Sequence, residues 1–328
     1  MTSKRPPKPT PVIFNHSAAI DDFVSQAVLH SMTNIDLKGI VVTIADCIAT
    51  PAMESSSKVH QFLGLDKQKI PLTMSMTRGW NAFPWEYKKD CIAVNGMKIL
   101  KSYKTQTKPP YENGETMIEM LLLEAIIRHD PVIYLVTGPV TALTTVLKKR
   151  PELKAGIKKI VWMGGAINVP GNLDPNTIPP EVANKKAEWN AFWDPFAVTE
   201  MFETFSDIHI FPLDITDQAK ITDEFKKALT VQSKKYNLTR FVKQCYDLVK
   251  DAPYYEMWNT CATCSIGNSA SSIYGRPKRV SLKIEEWGDD TQGWIRPSRG
   301  KNYQNVYLKF RNQPAFYEYV LDQLKMNV

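Results

Sequence analysis

The feature that most constrains this chain is a recurring unit: a short apolar or β-branched run that stops at polar residues and is followed by a helical pattern. Residues 11–14 form the first run, with a helix over residues 23–30 behind it. Residues 37–44 lead through Ala45-Asp46-Cys47 into a helix at roughly 51–63. Runs at 70–74, 131–136, 159–163 and 209–213 continue the series, and residues 140–149 supply another helix. Unbroken apolar runs are what strands buried on both faces require, and alternation with helices predicts parallel crossovers. The expected fold class is α/β, with a largely parallel sheet covered on both faces.

In such sheets ligands bind beyond the carboxyl ends of the strands. Those ends carry Asn15, Ser17, Asp21, Asp22, Asp46, Thr137 and Asp214. Two long connections rich in Pro, Asn and Lys, at 103–115 and 169–187, are candidate site walls.

Charge and cysteine usage narrow the possible partners. Lys and Arg number 41 against 34 Asp and Glu, a net charge of +7. The excess is spread along the chain and is densest over residues 276–311, which read as a solvated basic face. No aromatic-interleaved basic motif accompanies it, so no nucleic-acid partner is expected. No run of about 18 apolar residues exists, so no membrane span is expected. The five cysteines are an odd number, which points to a reducing compartment rather than a disulfide framework. Cys261-Ala-Thr-Cys264 lacks the second pair or histidines of a zinc site and reads as helical core. The start of the chain, residues 1–11, is a basic tail without an apolar secretory core, and its prolines at 6, 7, 9 and 11 spoil an amphipathic helix. The cytoplasm is the default location, and the acid-free start leaves the mitochondrial matrix open.

Four segments carry chemistry. Asn15-His-Ser17-Ala-Ala-Ile-Asp21-Asp22 places adjacent carboxylates at a strand-to-helix turn, where they need a cation or a proton, or serve as helix caps. Trp162-Met-Gly164-Gly165-Ala with Gly171-Asn172 permits close backbone approach. Ala187-Glu188-Trp189-Asn190 with Trp193-Asp194-Pro195 unites a carboxylate, an amide and large aromatics. Tyr254-Tyr255-Glu256-Met257-Trp258-Asn259-Thr260 is the fourth.

Together with Thr137-Gly138-Pro139-Val140-Thr141-Ala142, these segments resemble the nucleoside hydrolases, the inosine-uridine preferring nucleoside N-ribohydrolases that cleave the bond between base and ribose. The family pattern reads D-x-D-x-x-x-D-D, T-G-P-L-[TS]-N, M-G-G-A…G-N and A-E-[FW]-N-x-x-x-D-P. Ala45-Asp46-Cys47, Asn81-Ala82-Phe83-Pro84, Glu188-Trp189-Asn190 and Trp193-Asp194-Pro195 look most like the purine-specific protozoan branch. The resemblance covers residue 12 to the C-terminus. It implies one nucleoside hydrolase-like domain over 12–328, built on a mixed, mainly parallel sheet flanked by helices.

The resemblance also implies roles. Asp21 falls where the family's catalytic base is placed. Ser17, Asp22, Thr137 (through its backbone carbonyl) and Asn259 fall at the calcium-ligand positions. Asp46, Asn172, Glu188 and Asn190 match ribose contacts, Trp189 belongs to the same motif, and Trp258 faces Tyr87, or nearby Trp85, as base-stacking rings. Homo-oligomers or protein partners are expected. Three acidic positions of the pattern are neutral here: Asn15, Ser17 and Asn259. Calcium affinity follows ligand charge. Two readings follow. One is a family protein with substituted calcium ligands and weak or no activity, retained to bind nucleoside or ribose or as a structural subunit, with no cofactor. The other is an active, calcium-dependent purine nucleoside N-ribohydrolase that yields base and ribose.

Overall fold

The computed structural model describes residues 8–173, 175, 176, 178, 180 and 183–328. Ten strands are found among them: β1 (Thr10–His16), β2 (Ile35–Val42), β3 (Leu72–Met74), β4 (Val132–Val136), β5 (Ile157–Met163), β6 (Ile208–Phe211), β7 (Lys278–Val280), β8 (Leu282–Ile284), β9 (Ile295–Pro297) and β10 (Gln304–Val306). Eight form one sheet in the order β3-β2-β1-β4-β5-β6-β10-β7, parallel except for β7 at the edge, while β8 and β9 pair separately. The sheet is mixed and mainly parallel, as expected. β1 starts at Thr10, inside the stretch read as tail, and residues 1–7 of that stretch lie outside the described residues.

Period-2 alternation distributes each strand between two cores. Val12 and Phe14 join one apolar cluster, while Ile13 joins the other. Both faces are therefore covered by helices, and a buried side chain such as Phe14 contributes about 2–3 kcal/mol.

The strand order fixes where a ligand can sit. From β1 the chain winds outward through β2 and β3, then returns to pair β4 on the other side of β1 and continues through β5 and β6. The winding reverses between β1 and β4, so the loops leaving those two neighbours diverge and open a crevice. Ser17 and Thr137 stand at its two lips.

The basic stretch 276–311 supplies the far edge of the sheet, and Lys278 and Arg279 on β7 are exposed there. Charged side chains on an edge strand discourage pairing with another chain. Cys261 and Cys264 are fully buried in the helix Trp258–Cys264, which agrees with a core role. Among the described residues no helix is long and apolar enough to cross a membrane.

Candidate functional site

A cavity of about 1100 Å³ opens at the crevice. Ser17, Asp21, Asp46, Tyr87, Thr137, Asn172 line it, as do Glu188, Trp189, Asn190, Trp258 and Asn259. Asp22 lies directly behind that wall, buried. Eleven of the twelve residues expected from the sequence thus face one space.

The turn from β1 into the helix Ile20–Ser31 is shaped by Ala18, held at φ 62°, an uncommon conformation for a residue with a side chain. His16 fixes it, its Nδ1 accepting from the Ala18 N–H at 3.1 Å, and burial holds that imidazole neutral with its pKa down at about 3. The turn aims several donors at Asp22. Asp22 Oδ2 accepts from the Ser17 N–H, the Ser17 hydroxyl and the Ala19 N–H at 3.1, 3.2 and 3.0 Å. Its Oδ1 accepts from the Thr137 hydroxyl at 2.5 Å and the Asn259 amide at 2.8 Å. Burial outweighs these bonds and raises the Asp22 carboxyl to about 7.

Asp21 faces a different set. Its Oδ1 accepts from the Tyr246 and Thr260 hydroxyls at 2.9 and 2.7 Å. Its Oδ2 accepts from the buried Asn259 and Thr260 N–H groups at 2.7 and 2.9 Å, in the first turn of the helix Trp258–Cys264. A carboxylate has about four lone-pair sites, and all are taken by protein donors. Asp21 is therefore a clasp that ties its own helix to the helices Asn237–Leu248 and Trp258–Cys264. Burial still lifts its carboxyl to about 6.

Asp46 is the contrasting carboxylate. Its Oδ1 is buried and has no hydrogen-bond partner, while the Ser17 side chain holds the group on its other side. Burial first, then the charge of Asp22, raises its pKa well above the usual carboxylate range.

The Glu188-Trp189-Asn190 segment locks the opposite wall. Glu188 Oε2 accepts from the Gly165 N–H at 2.8 Å, and Oε1 accepts from the Asn190 N–H at 2.9 Å. Gly165 has φ 84°, which favours glycine there. Burial pushes the Glu188 carboxyl to about 7. The Asn190 amide donates to the Met163 and Thr137 carbonyls at 3.1 and 3.3 Å. Asn172 accepts from the Trp189 N–H at 3.2 Å. A side chain at Gly171 would lie 2.0 Å from the Ala187 carbonyl, so only glycine permits this approach.

Aromatic rings form two sides. Trp258 lies 5.1 Å from Tyr255 and 5.2 Å from Tyr254. Tyr87 meets Trp189 edge-on at 5.6 Å. Trp85 is exposed and does not line the cavity.

Several expectations are corrected. Asn15 turns away from the cavity: its amide donates to Val41 O and Thr43 Oγ1, and Tyr134 donates to it. Asp214 binds the backbone of Ile167 and Asn168 and so holds the loop after β5. Of the two long connections, 169–187 contributes a wall through Pro170, Leu173 and Lys185, whereas Asn113 of the other caps the helix Gly114–Ile127. The sequence reading missed Asp217, whose Oδ1 accepts from Tyr254 OH at 2.5 Å and Trp258 Nε1 at 3.0 Å.

A calcium site needs oxygens that converge with enough negative charge. Here Ser17, Thr137 and Asn259 point hydrogen-bond donors at Asp22, the one carboxylate among the four. Among the described residues no group of three or more His, Cys, Asp or Glu is placed to hold a metal.

Comparison with known proteins agrees with the fold. The family described as inosine-uridine preferring nucleoside hydrolase matches residues 12–318. A pyrimidine-specific ribonucleoside hydrolase of Shewanella oneidensis is 29% identical over 217 residues, 65% of this chain and 62% of that protein. A non-specific ribonucleoside hydrolase of Escherichia coli is 26% identical over 67% of this chain and 66% of its own length. This chain thus matches less than two thirds of the length of those relatives. The crystal structure of an inosine-uridine preferring nucleoside hydrolase from Bacillus anthracis superimposes with a TM-score of 0.86 and 29% identity, covering 96% of this chain and 99% of that one.

Proposed function

Because the chain belongs to the inosine-uridine preferring nucleoside hydrolase family, we propose that it is a riboside-binding member with weak or no N-ribohydrolase activity. The carrying observation is the hydrogen-bond closure around Asp22, where three side-chain donors occupy the lone pairs that a cation would need. Asp46, Asn172, Glu188 and Asn190 hold the ribose hydroxyls in this reading. Trp258 and Tyr87 flank the base, and Trp189 stiffens the wall behind Tyr87. Asp21 serves the fold.

Calorimetry with inosine, paired with chromatography for released base, tests it. The expected result is saturable binding with little or no base released. Rapid release at catalytic protein concentrations would overturn it.

A second reading, a working purine N-ribohydrolase, draws on one observation: Asp46 Oδ1 is buried beside the cavity without a partner. A carboxylate so placed can take a proton from water. In that case Asp46→Asn abolishes base release while leaving the ring walls intact.

A further inference from the structure

Resting on the riboside-site reading above, we propose that the cavity selects ribosides whose base carries a permanent positive charge, of the N-ribosylpyridinium class. The argument begins with charge. The rim of the cavity carries Glu86, Asp90, Asp217 and Asp251, while the deeper Asp21 and Glu188 are already engaged by protein donors. Against these four rim carboxyls the described lining offers two cations, Lys89 and Lys185. The rim thus keeps an excess of carboxyls over cations, which a positively charged ligand would meet favourably.

The rings locate that charge. Trp258 and Tyr254 form the wall beside the rim, and both donate their polar hydrogens to the same Asp217 oxygen. A carboxylate that accepts from an indole N–H and a phenol O–H makes the ring faces richer in electrons. Cations are drawn to such faces, more strongly where water is scarce. Asp46 Oδ1, buried and unpartnered, adds an acceptor at the floor. A neutral base gains from stacking alone. A nucleotide phosphate meets an acidic rim.

The volume agrees. About 1100 Å³ lies at the upper end for ligand cavities and exceeds a bare nucleoside, so the rim carboxyls have space to approach substituents on the base.

Calorimetry on the purified full chain tests the proposal with a matched pair: 1-β-ribosylpyridinium-3-carboxamide and its neutral 1,4-dihydro form. The two differ by one hydride and one charge. We expect the cation to bind about tenfold tighter, and Asp217→Asn to shrink that ratio by at least half. Equal affinity, or preference for the neutral form, overturns the charge selection and leaves the riboside reading standing. Failure of both ligands to bind removes the riboside reading and this inference with it. An unchanged ratio in Asp217→Asn overturns the role of the ring wall.

Discussion

Calcium should leave the natural protein unmoved yet bind saturably to the Ser17→Asp/Asn259→Asp double variant. The magnitude follows from Asp22. To coordinate that carboxylate, an ion must displace the Ser17 hydroxyl at 3.2 Å, the Thr137 hydroxyl at 2.5 Å and the Asn259 amide at 2.8 Å. Hydrogen bonds to a charged group contribute about 1.5–3 kcal/mol each, so losing three costs roughly 5–9 kcal/mol. A micromolar site has about 8 kcal/mol of binding free energy, which leaves ~3 kcal/mol or less and a Kd on the order of 10 mM. In the double variant two of the three donors become carboxylates. The obstacle turns into attraction, and affinity rises toward the micromolar range of charge-rich sites. Without the ion the variant should be less stable, because buried like charges crowd Asp22. Calorimetry measures the binding. Thermal denaturation with and without about 1 mM calcium reads the linked stabilisation, ~2.7 kcal/mol at a hundredfold excess over Kd. Saturation of the natural protein at tens of micromolar would refute the reasoning. So would a folded double variant that stays silent at several millimolar, since Ser17, Asp22 and Asn259 would then not make one shell.

Other outcomes follow from single groups. Glu188, with its carboxyl raised to about 7 by burial, keeps its proton in the folded state at pH values where the unfolded chain has lost it. Its contribution is therefore fully present below about pH 4.5 and lost as pH rises through 7, roughly 3 kcal/mol in all. Urea unfolding at pH 4.5 and 8 should show a decline in the natural protein that is about 3 kcal/mol smaller in Glu188→Gln, the raised carboxyls of Asp21 and Asp22 keeping their share. Asp21→Ala leaves four donors unmatched and should lower stability by about 3–5 kcal/mol in chemical denaturation, whereas a mere catalytic base would cost the fold little. Trp258→Ala should weaken riboside binding by about tenfold in calorimetry, through loss of a ring worth roughly 1–2 kcal/mol. Unchanged affinity would place the base elsewhere.

The sheet was legible because its central strands are buried on both faces and read as unbroken apolar runs, each ending in polar residues. Val132–Val136, for instance, is buried at every position and matches residues 131–136 to within one residue. The far edge was not legible. β7 and β10 are three residues each inside a basic stretch, too short for a period to emerge. Most site residues could be placed from short motifs, since Glu188-Trp189-Asn190 acts within one local turn. The clasp could not, because Asp21 meets Tyr246, Asn259 and Thr260 from 225 to 239 residues away. Asp217 escaped for the same reason: its partners Tyr254 and Trp258 lie 37 and 41 positions on. Asn15 misled in the other direction. It occupies the strand end that chemistry favours, yet Tyr134 and Thr43 claim both ends of its amide.

The clasp at Asp21 also sets an order of events during synthesis. A ribosome releases residue 21 early, but its four donors belong to Tyr246, Asn259 and Thr260. Until that late stretch emerges, the first crossover helix carries an unmated acid at its tip. The pocket is therefore among the last parts to be assembled, and a chain halted before residue 260 would present a sheet with no finished mouth.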